Sequence, residues 1–257
     1  MHVPRTHAVI PALIVAAAVG AFGAAHAADV NKPHPHKGVL KPYPRPPAPP
    51  TLSDKERTQL VSGKPVMQQT EGEAGGRGLA VFRVNAPPDL VWATINDFKS
   101  YPKFIDEVKD IEVYKKDGGK IDVRFHIASW GVSLEYFIHH DYDMENRWGT
   151  WTLDYSRESD LDDSVGFWRV TPVDGQPEQS QVEYSVDIAV KGWVPGFVRG
   201  MLVDNGLKAA TSWVKVQSER RYKAELAKRM KDAPPTEMRA PVSAPVPTPQ
   251  PATPVQP

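Results

Sequence analysis

Cysteine is absent from all 257 residues. Disulfides, thiolate metal sites and cysteine nucleophiles are thereby excluded. An excess of either charge is also missing, because 31 Lys and Arg balance 31 Asp and Glu. With no basic stripe, a nucleic-acid partner is not expected. Long hydrophobic runs are lacking with one exception, Ala8 to Ala25. No later run approaches a membrane-spanning length of about 18 residues, so the body of the protein is expected to be soluble.

That exception reads as a leader. Arg5 precedes the apolar run, and Ala25-His26-Ala27 stands before Ala28. This is the n-region, h-region and A-x-A order of a secretory signal. Residues 1–27 are expected to be a signal peptide cleaved after Ala27, with the periplasm or the cell exterior as destination; retention as an anchor is the alternative.

Proline is plentiful, and much of it lies near the two ends. Residues 28–52 and 233–257 are Pro-rich and poor in apolar side chains. Such segments favour extended polyproline conformations and cannot bury a core, so both are expected to be disordered arms. His34 and His36 in the first arm are read as solvated linker histidines rather than metal ligands.

A folded domain is expected between them, over residues 53–232. Ser53-Asp54-Lys55-Glu56 fits a capping box opening a short helix. Two strands near 65–70 and 78–85 flank a glycine-rich turn. Residues 85–104, NAPPDLVWATINDFKSYPKF, then read as a helix started by Pro88 and ended at Ser100-Tyr101-Pro102. Strands follow at 109–115, 120–129, 132–143, 149–156, 165–173 and 181–191, divided by turn signals such as Asp117-Gly118-Gly119 and Asp174-Gly175. A last helix runs from Pro195 to about Met230, with Phe197, Val198, Met201, Leu202, Asn205, Ala209, Trp213 and Val216 on its apolar side and a charged, solvent-projecting end beyond Ser218.

The register of two strands can be tested internally. With a turn at Trp130-Gly131, Val123 faces Ile138, Phe125 faces Tyr136 and Ile127 faces Leu134, all on one side. Asp122 then opposes His139, and His126 opposes Glu135, on the other side. One register sorts apolar from charged residues, as a half-buried antiparallel sheet requires.

Ala86-Pro87-Pro88, Val91-Trp92, Ile95, Asp97-Phe98, Tyr101-Pro102, Phe104, Gly149-Thr150-Trp151, Gly166-Phe167-Trp168, Val182-Glu183-Tyr184 and Trp193-Val194-Pro195 carry a resemblance. Through them, over about residues 76–225, the chain resembles the START-like (SRPBCC) superfamily of polyketide cyclases/dehydrases and lipid-transport proteins. The resemblance implies an α+β helix-grip fold, a curved antiparallel sheet wrapped around a long C-terminal helix, with an elongated apolar cavity between the two. Within it, alternation places Phe125, Tyr136, Ile138, His140, Trp151, Tyr155, Tyr184 and Val186 on the ligand side, joined by Met201 and Asn205 of the helix. Phe98, Tyr101, Pro102 and Phe104 would form the cavity mouth.

The expected function is an exported carrier of a hydrophobic small molecule or lipid, monomeric, with transient membrane contact. Sterol- or hopanoid-like molecules, quinones and acyl chains are the candidate guests. Two alternatives stand beside it: a cyclase- or dehydrase-like enzyme using His140 with Tyr136 or Tyr155, and a ligand-free interaction module. No cofactor and no catalytic residue is assigned. Metal binding is not expected either: His139 and His140 are strand neighbours pointing to opposite faces, and Glu158, Asp160, Asp162 and Asp163 lack the ordered spacing of a calcium loop.

Overall fold

The computed structural model describes residues 28–72, 75–129, 132–190 and 196–232, without side-chain detail at 70–75, 129–132, 196–206 and 209–210. The proposed leader, the Trp130-Gly131 turn, the Trp193-Val194-Pro195 helix entry and the C-terminal arm lie outside the described residues.

Helix α1 (Asp54–Val61) begins with the capping box: the Glu56 amide donates to Ser53 Oγ, and the Ser53 amide donates to the Glu56 carboxylate at 2.8 Å. Next come β1 (Val66–Gly72) and β2 (Gly75–Val84), then α2 (Pro88–Ile95), a single 3-10 turn (Phe98–Ser100) and the four-residue α3 (Tyr101–Phe104). Strands β3 (Val108–Asp117), β4 (Lys120–Ser129), β5 (Val132–Asp143), β6 (Trp148–Leu153), β7 (Leu161–Val173) and β8 (Gln176–Val190) lead into α4 (Gly196–Asp232). Among the described residues these strands form one eight-stranded sheet ordered β1-β2-β8-β7-β6-β5-β4-β3, with every neighbouring pair antiparallel. The sheet curves around α4, the helix-grip arrangement.

The β4/β5 register matches the alternation argument: Val123 pairs with Ile138, Phe125 with Tyr136 and Ile127 with Leu134, while Asp122 meets His139 and His126 meets Glu135. On the outer side, His139 Nδ1 lies 2.5 Å from Asp122 Oδ1.

The stretch 85–104 is divided differently from expectation. Its first helix stops at Ile95, where the Asn96 amide bonds back to Trp92 O. Tyr101-Pro102 does not end that helix. It opens α3, because proline fits the first helical turn, where its missing N–H has no partner to lose. The Tyr101 hydroxyl donates to Ile95 O at 2.5 Å and so satisfies a carbonyl in the last turn of α2.

Helix α4 has 37 residues, roughly 55 Å at 1.5 Å per residue. Its buried stripe comprises Leu207, Thr211, Val214, Ser218 and Tyr222, with Trp213 beside it. Val216, expected on that side, is instead 57% exposed. The helix also stays docked beyond Ser218. Tyr222 is buried, and the Arg221 guanidinium pairs with Asp97 and reaches Thr94 Oγ1 at 3.4 Å. Nearer the middle, Lys215 donates to Arg83 O and to Glu219, while Glu219 accepts both the backbone and side-chain N–H of Asn85.

The expectation of a disordered arm at 28–52 is corrected. This segment is a strap laid against the outer side of the sheet. Its anchors are single polar residues that meet partners far along the chain. Asp163, fully buried, accepts from the backbone amides of Val39 (2.7 Å), Leu40 (2.8 Å) and Ser164 (2.8 Å) and from the Tyr155 hydroxyl (2.8 Å). Tyr43 packs edge-on against Phe167 and bonds to Ser185 Oγ at 2.7 Å, with Arg77 over its ring. Burial pushes the Tyr43 phenol up to about 12. Arg45 pairs with Asp141, and the Arg169 guanidinium, bound to buried Glu183, also donates to Pro47 O. A proline-rich strand needs no partner for its missing amides, so a few side-chain clamps suffice to hold it.

His34 and His36 belong to the same clamp. Their ring nitrogens and an Asp162 carboxylate oxygen lie within 4.8 Å of one another. His34 is buried, not solvated. Each ring accepts a backbone amide on Nδ1, from Ser159 and Gly38 respectively. In the neutral ring the proton then sits on Nε2, which donates to Asp162 O from His34 and to Asp162 Oδ1 from His36. Nitrogens committed in this way serve as hydrogen-bonding groups rather than open metal ligands.

Candidate functional site

Strand alternation brings one set of side chains to the concave side of the sheet. There, Phe125, Ile127, Tyr136, Ile138, His140, Trp151, Trp168, Tyr184, Val186 and Ile188 surround a cavity of about 170 Å³ between the sheet and α4. Trp213 of α4 lies at its edge, with Phe98, Tyr101, Ile105, Glu107 and Val108 from the segment before β3. The volume is comparable to the roughly 150 Å³ apolar cavities that stay dry and take up a benzene ring.

Two glycines shape this wall. Gly166 in β7 lies under the Trp151 indole, and Gly149 in β6 lies under the Tyr142 ring. In both places a Cβ would occupy space the ring already fills. The missing side chain lets each aromatic lie flat on the sheet.

Polar atoms on the wall are few and sparsely paired. His140 is buried and donates from Nδ1 to Ile121 O at 3.0 Å, leaving Nε2 as the ring's acceptor. Desolvation lowers its pKa to about 3, so the imidazole is neutral. The hydroxyls of Tyr136, Tyr142 and Tyr184 have no hydrogen-bond partner among the described residues, and burial raises the pKa of all three. They remain protonated donors. On this apolar wall His140 Nε2 is an acceptor and the three hydroxyls are donors, each costly to bury unless something supplies a bond.

The neutral state of His140 has a pH signature. Its folded pKa lies below the ordinary 6.5, so the unfolded chain takes up the proton first as pH falls. Stability is full above 6.5 and is lost toward the folded value near 3, at up to about 1.4 kcal/mol per pH unit. Urea unfolding at pH 6.5 and pH 4 is expected to show the wild type losing about 3 kcal/mol more than His140→Phe. Equal losses would mean that the buried ring is not held neutral.

The profile of the family described as polyketide cyclase / dehydrase and lipid transport matches residues 84–211. The chain belongs to this START-like family. The match runs from the end of β2 into α4 and spans the cavity-bearing part of the sheet. Membership associates the chain with hydrophobic ligand binding.

Among solved structures, the ZhuI aromatase/cyclase of Streptomyces sp. R1128 shares 21% identity, with 62% of this chain and 98% of that one covered, at a TM-score of 0.51. A START superfamily protein from Mycobacterium smegmatis shares 16% over 60% and 98%, at 0.48. The STAR-related lipid transfer protein of Xanthomonas axonopodis shares 13% over 60% and 92%, also at 0.48. The search of curated proteins found no significant match. At 21% identity the ZhuI likeness bears on the fold alone and not on a shared ligand.

Of the residues that alternation assigned to the ligand side, Phe125, Tyr136, Ile138, His140, Trp151, Tyr184 and Val186 line the cavity. Tyr155 does not. Strand β6 ends at Leu153, and past it the alternation lapses, so Tyr155 turns to Asp163 and packs beside His34 and His36. The side chains of Met201 and Asn205 lie outside the described residues. Of the residues assigned to the mouth, Phe98 and Tyr101 line the cavity, and Pro102 and Phe104 do not; Phe104 stacks behind Trp213 at 6.3 Å. Leu161 and Ser164, which fall between the strands expected at 149–156 and 165–173, do line the cavity. An irregularity in the β7/β8 pairing between Leu161 and Asp163 shifts the phase, so residues three apart share a face while Asp163 meets the strap.

Proposed function

We propose that the protein is an exported binding or carrier protein for a hydrophobic guest bearing a hydroxyl or carbonyl group. The observation that supports this reading is the apolar cavity with unpartnered polar atoms on His140, Tyr136, Tyr142 and Tyr184. Burying six methylene-sized groups contributes roughly 5 kcal/mol, and the polar atoms set orientation. A single quinone-type ring or a short acyl segment fits a cavity of this volume, whereas a sterol- or hopanoid-like ring system calls for it to widen; loading would come by contact at a membrane. The leader-like residues 1–27 motivate export. An enzymatic role for His140 is less favoured, since a base with a pKa near 3 is far from the value that serves proton transfer at neutral pH.

Purification from cells, solvent extraction and mass spectrometry test the reading. A stoichiometric hydrophobic compound is the expected result, and protein that stays empty when offered lipid and quinone mixtures would sink it. With a guest in hand, Tyr136→Phe and Tyr184→Phe are each expected to weaken binding about three- to tenfold, the loss of one neutral hydrogen bond. Titration calorimetry reads the effect. Unchanged affinity in both variants would remove the hydroxyls from the recognition scheme.

A further inference from the structure

Ala28, the first described residue of the strap, has a specific neighbour. Ala28 N lies 2.9 Å from Asp160 Oδ1. The other oxygen of that carboxylate accepts the Glu135 amide at 2.6 Å, and the Asp160 amide donates to Glu135 O at 2.8 Å. Asp160 is therefore braced on β5 and aimed at the start of the strap. Ala28 also directly follows Ala25-His26-Ala27, the A-x-A pattern.

We propose that Asp160 is a receptor for the α-ammonium created when the leader is removed at the Ala27–Ala28 bond. Hydrolysis by a host signal peptidase consumes one water. Ala27 departs with the leader as a carboxylate, and Ala28 keeps the nitrogen, which takes up protons to become –NH3+. A hydrogen bond in which only the acceptor is charged in the precursor becomes an ion pair, charged on both partners, in the processed chain. Cleavage one residue to either side would move the amine about 3.8 Å along the chain, beyond hydrogen-bond reach. The carboxylate thus selects one cleavage product. Processing thus strengthens the first contact of a strap whose next contacts, Glu158 N to Asp29 O and His34 N to Tyr155 O, follow directly.

Other charges near the amine are accounted for. Asp29 accepts the Asn31 amide and pairs with Lys32 at 3.3 Å, the Glu135 carboxylate is held by Arg124, and Glu158 lies on the facing loop. Asp160 is the group that contacts the nitrogen directly.

The inference rests on the export reading, and the test separates the two. The full chain is produced in a bacterial host with its leader, recovered from periplasm and cytoplasm, and weighed intact. The expected product is periplasmic and begins at Ala28. Its α-amine is then labelled at pH 7.5 with an acylating reagent that attacks only the unprotonated form, and the N-terminal peptide is quantified. Ion pairing that raises the amine pKa by one unit slows labelling at this pH roughly sevenfold, and Asp160→Asn is expected to restore the faster rate. Asn keeps an acceptor for the Glu135 amide, and urea unfolding of the variant controls for a general loss of fold. Protein held in the cytoplasm with its leader overturns both readings. Periplasmic protein starting at another residue, or labelling equally fast before and after Asp160→Asn, overturns the receptor role alone.

Discussion

Asp163→Ala is expected to cut the strap loose and cost the protein about 3 kcal/mol, the value of one or two charge-assisted hydrogen bonds. Asp163 is fully buried and takes four donors: the amides of Val39, Leu40 and Ser164 and the Tyr155 hydroxyl. Alanine leaves all four without an acceptor. The Val39 and Leu40 amides recover water only if residues 38–43 lift away, whereas the Ser164 amide sits in β7 and stays buried. Asp163→Asn is a sharper probe. It preserves volume but turns an NH2 toward one of the two donor pairs, so partial loss is expected. Hydrogen exchange should show the Val39 and Leu40 amides losing protection while the β4/β5 ladder keeps its own. Undiminished protection at Val39 and Leu40 in the alanine variant would refute the clamp.

Gly166→Val should do more damage to the cavity than to the strap. A Cβ at residue 166 would fall within the Trp151 indole and 2.5 Å from Ser185 O. The backbone oxygen belongs to the paired strand β8 and has little room to give. Trp151 must therefore leave the sheet, and the open direction is toward the cavity beside His140 and Tyr184. Overpacking of this kind costs about 1–3 kcal/mol. The larger consequence falls on binding, because a displaced indole fills the space a guest would use, and loss of measurable affinity is expected while the fold persists. Circular dichroism with titration calorimetry separates the two effects. Wild-type affinity in a folded Gly166→Val protein would mean that the guest lies elsewhere.

The sheet and the strap differ in how far the sequence announces them. Apolar alternation over Val123–Ile127 and Leu134–His140 carries the sheet register and much of the cavity wall, because one face must be dry and its period is two. The proline-started α2 is equally legible. The strap is not, since it holds by isolated groups such as His34 and Tyr43, whose partners at Asp162 and Ser185 are more than 120 residues away. Composition reports only that such a segment cannot form a core of its own. Phase errors account for the other differences. The pairing irregularity after Leu161 brings Leu161 and Ser164 to the cavity, and the end of β6 at Leu153 sends Tyr155 the other way. On α4, Thr211 and Ser218 occupy buried positions and disguise the stripe. The Thr211 hydroxyl is satisfied locally by Leu207 O, a bond no hydropathy pattern records.

Helix α4 is fastened by polar contacts as well as by its buried stripe. Its later half is tied to the segment after β2 by Asn85, Thr94 and Asp97, through Glu219 and Arg221. Residues 85–104 therefore join the cavity wall, through Phe98 and Tyr101, to the later half of α4, so a change at Asp97 that frees Arg221 is felt by the helix and by the space for a guest together.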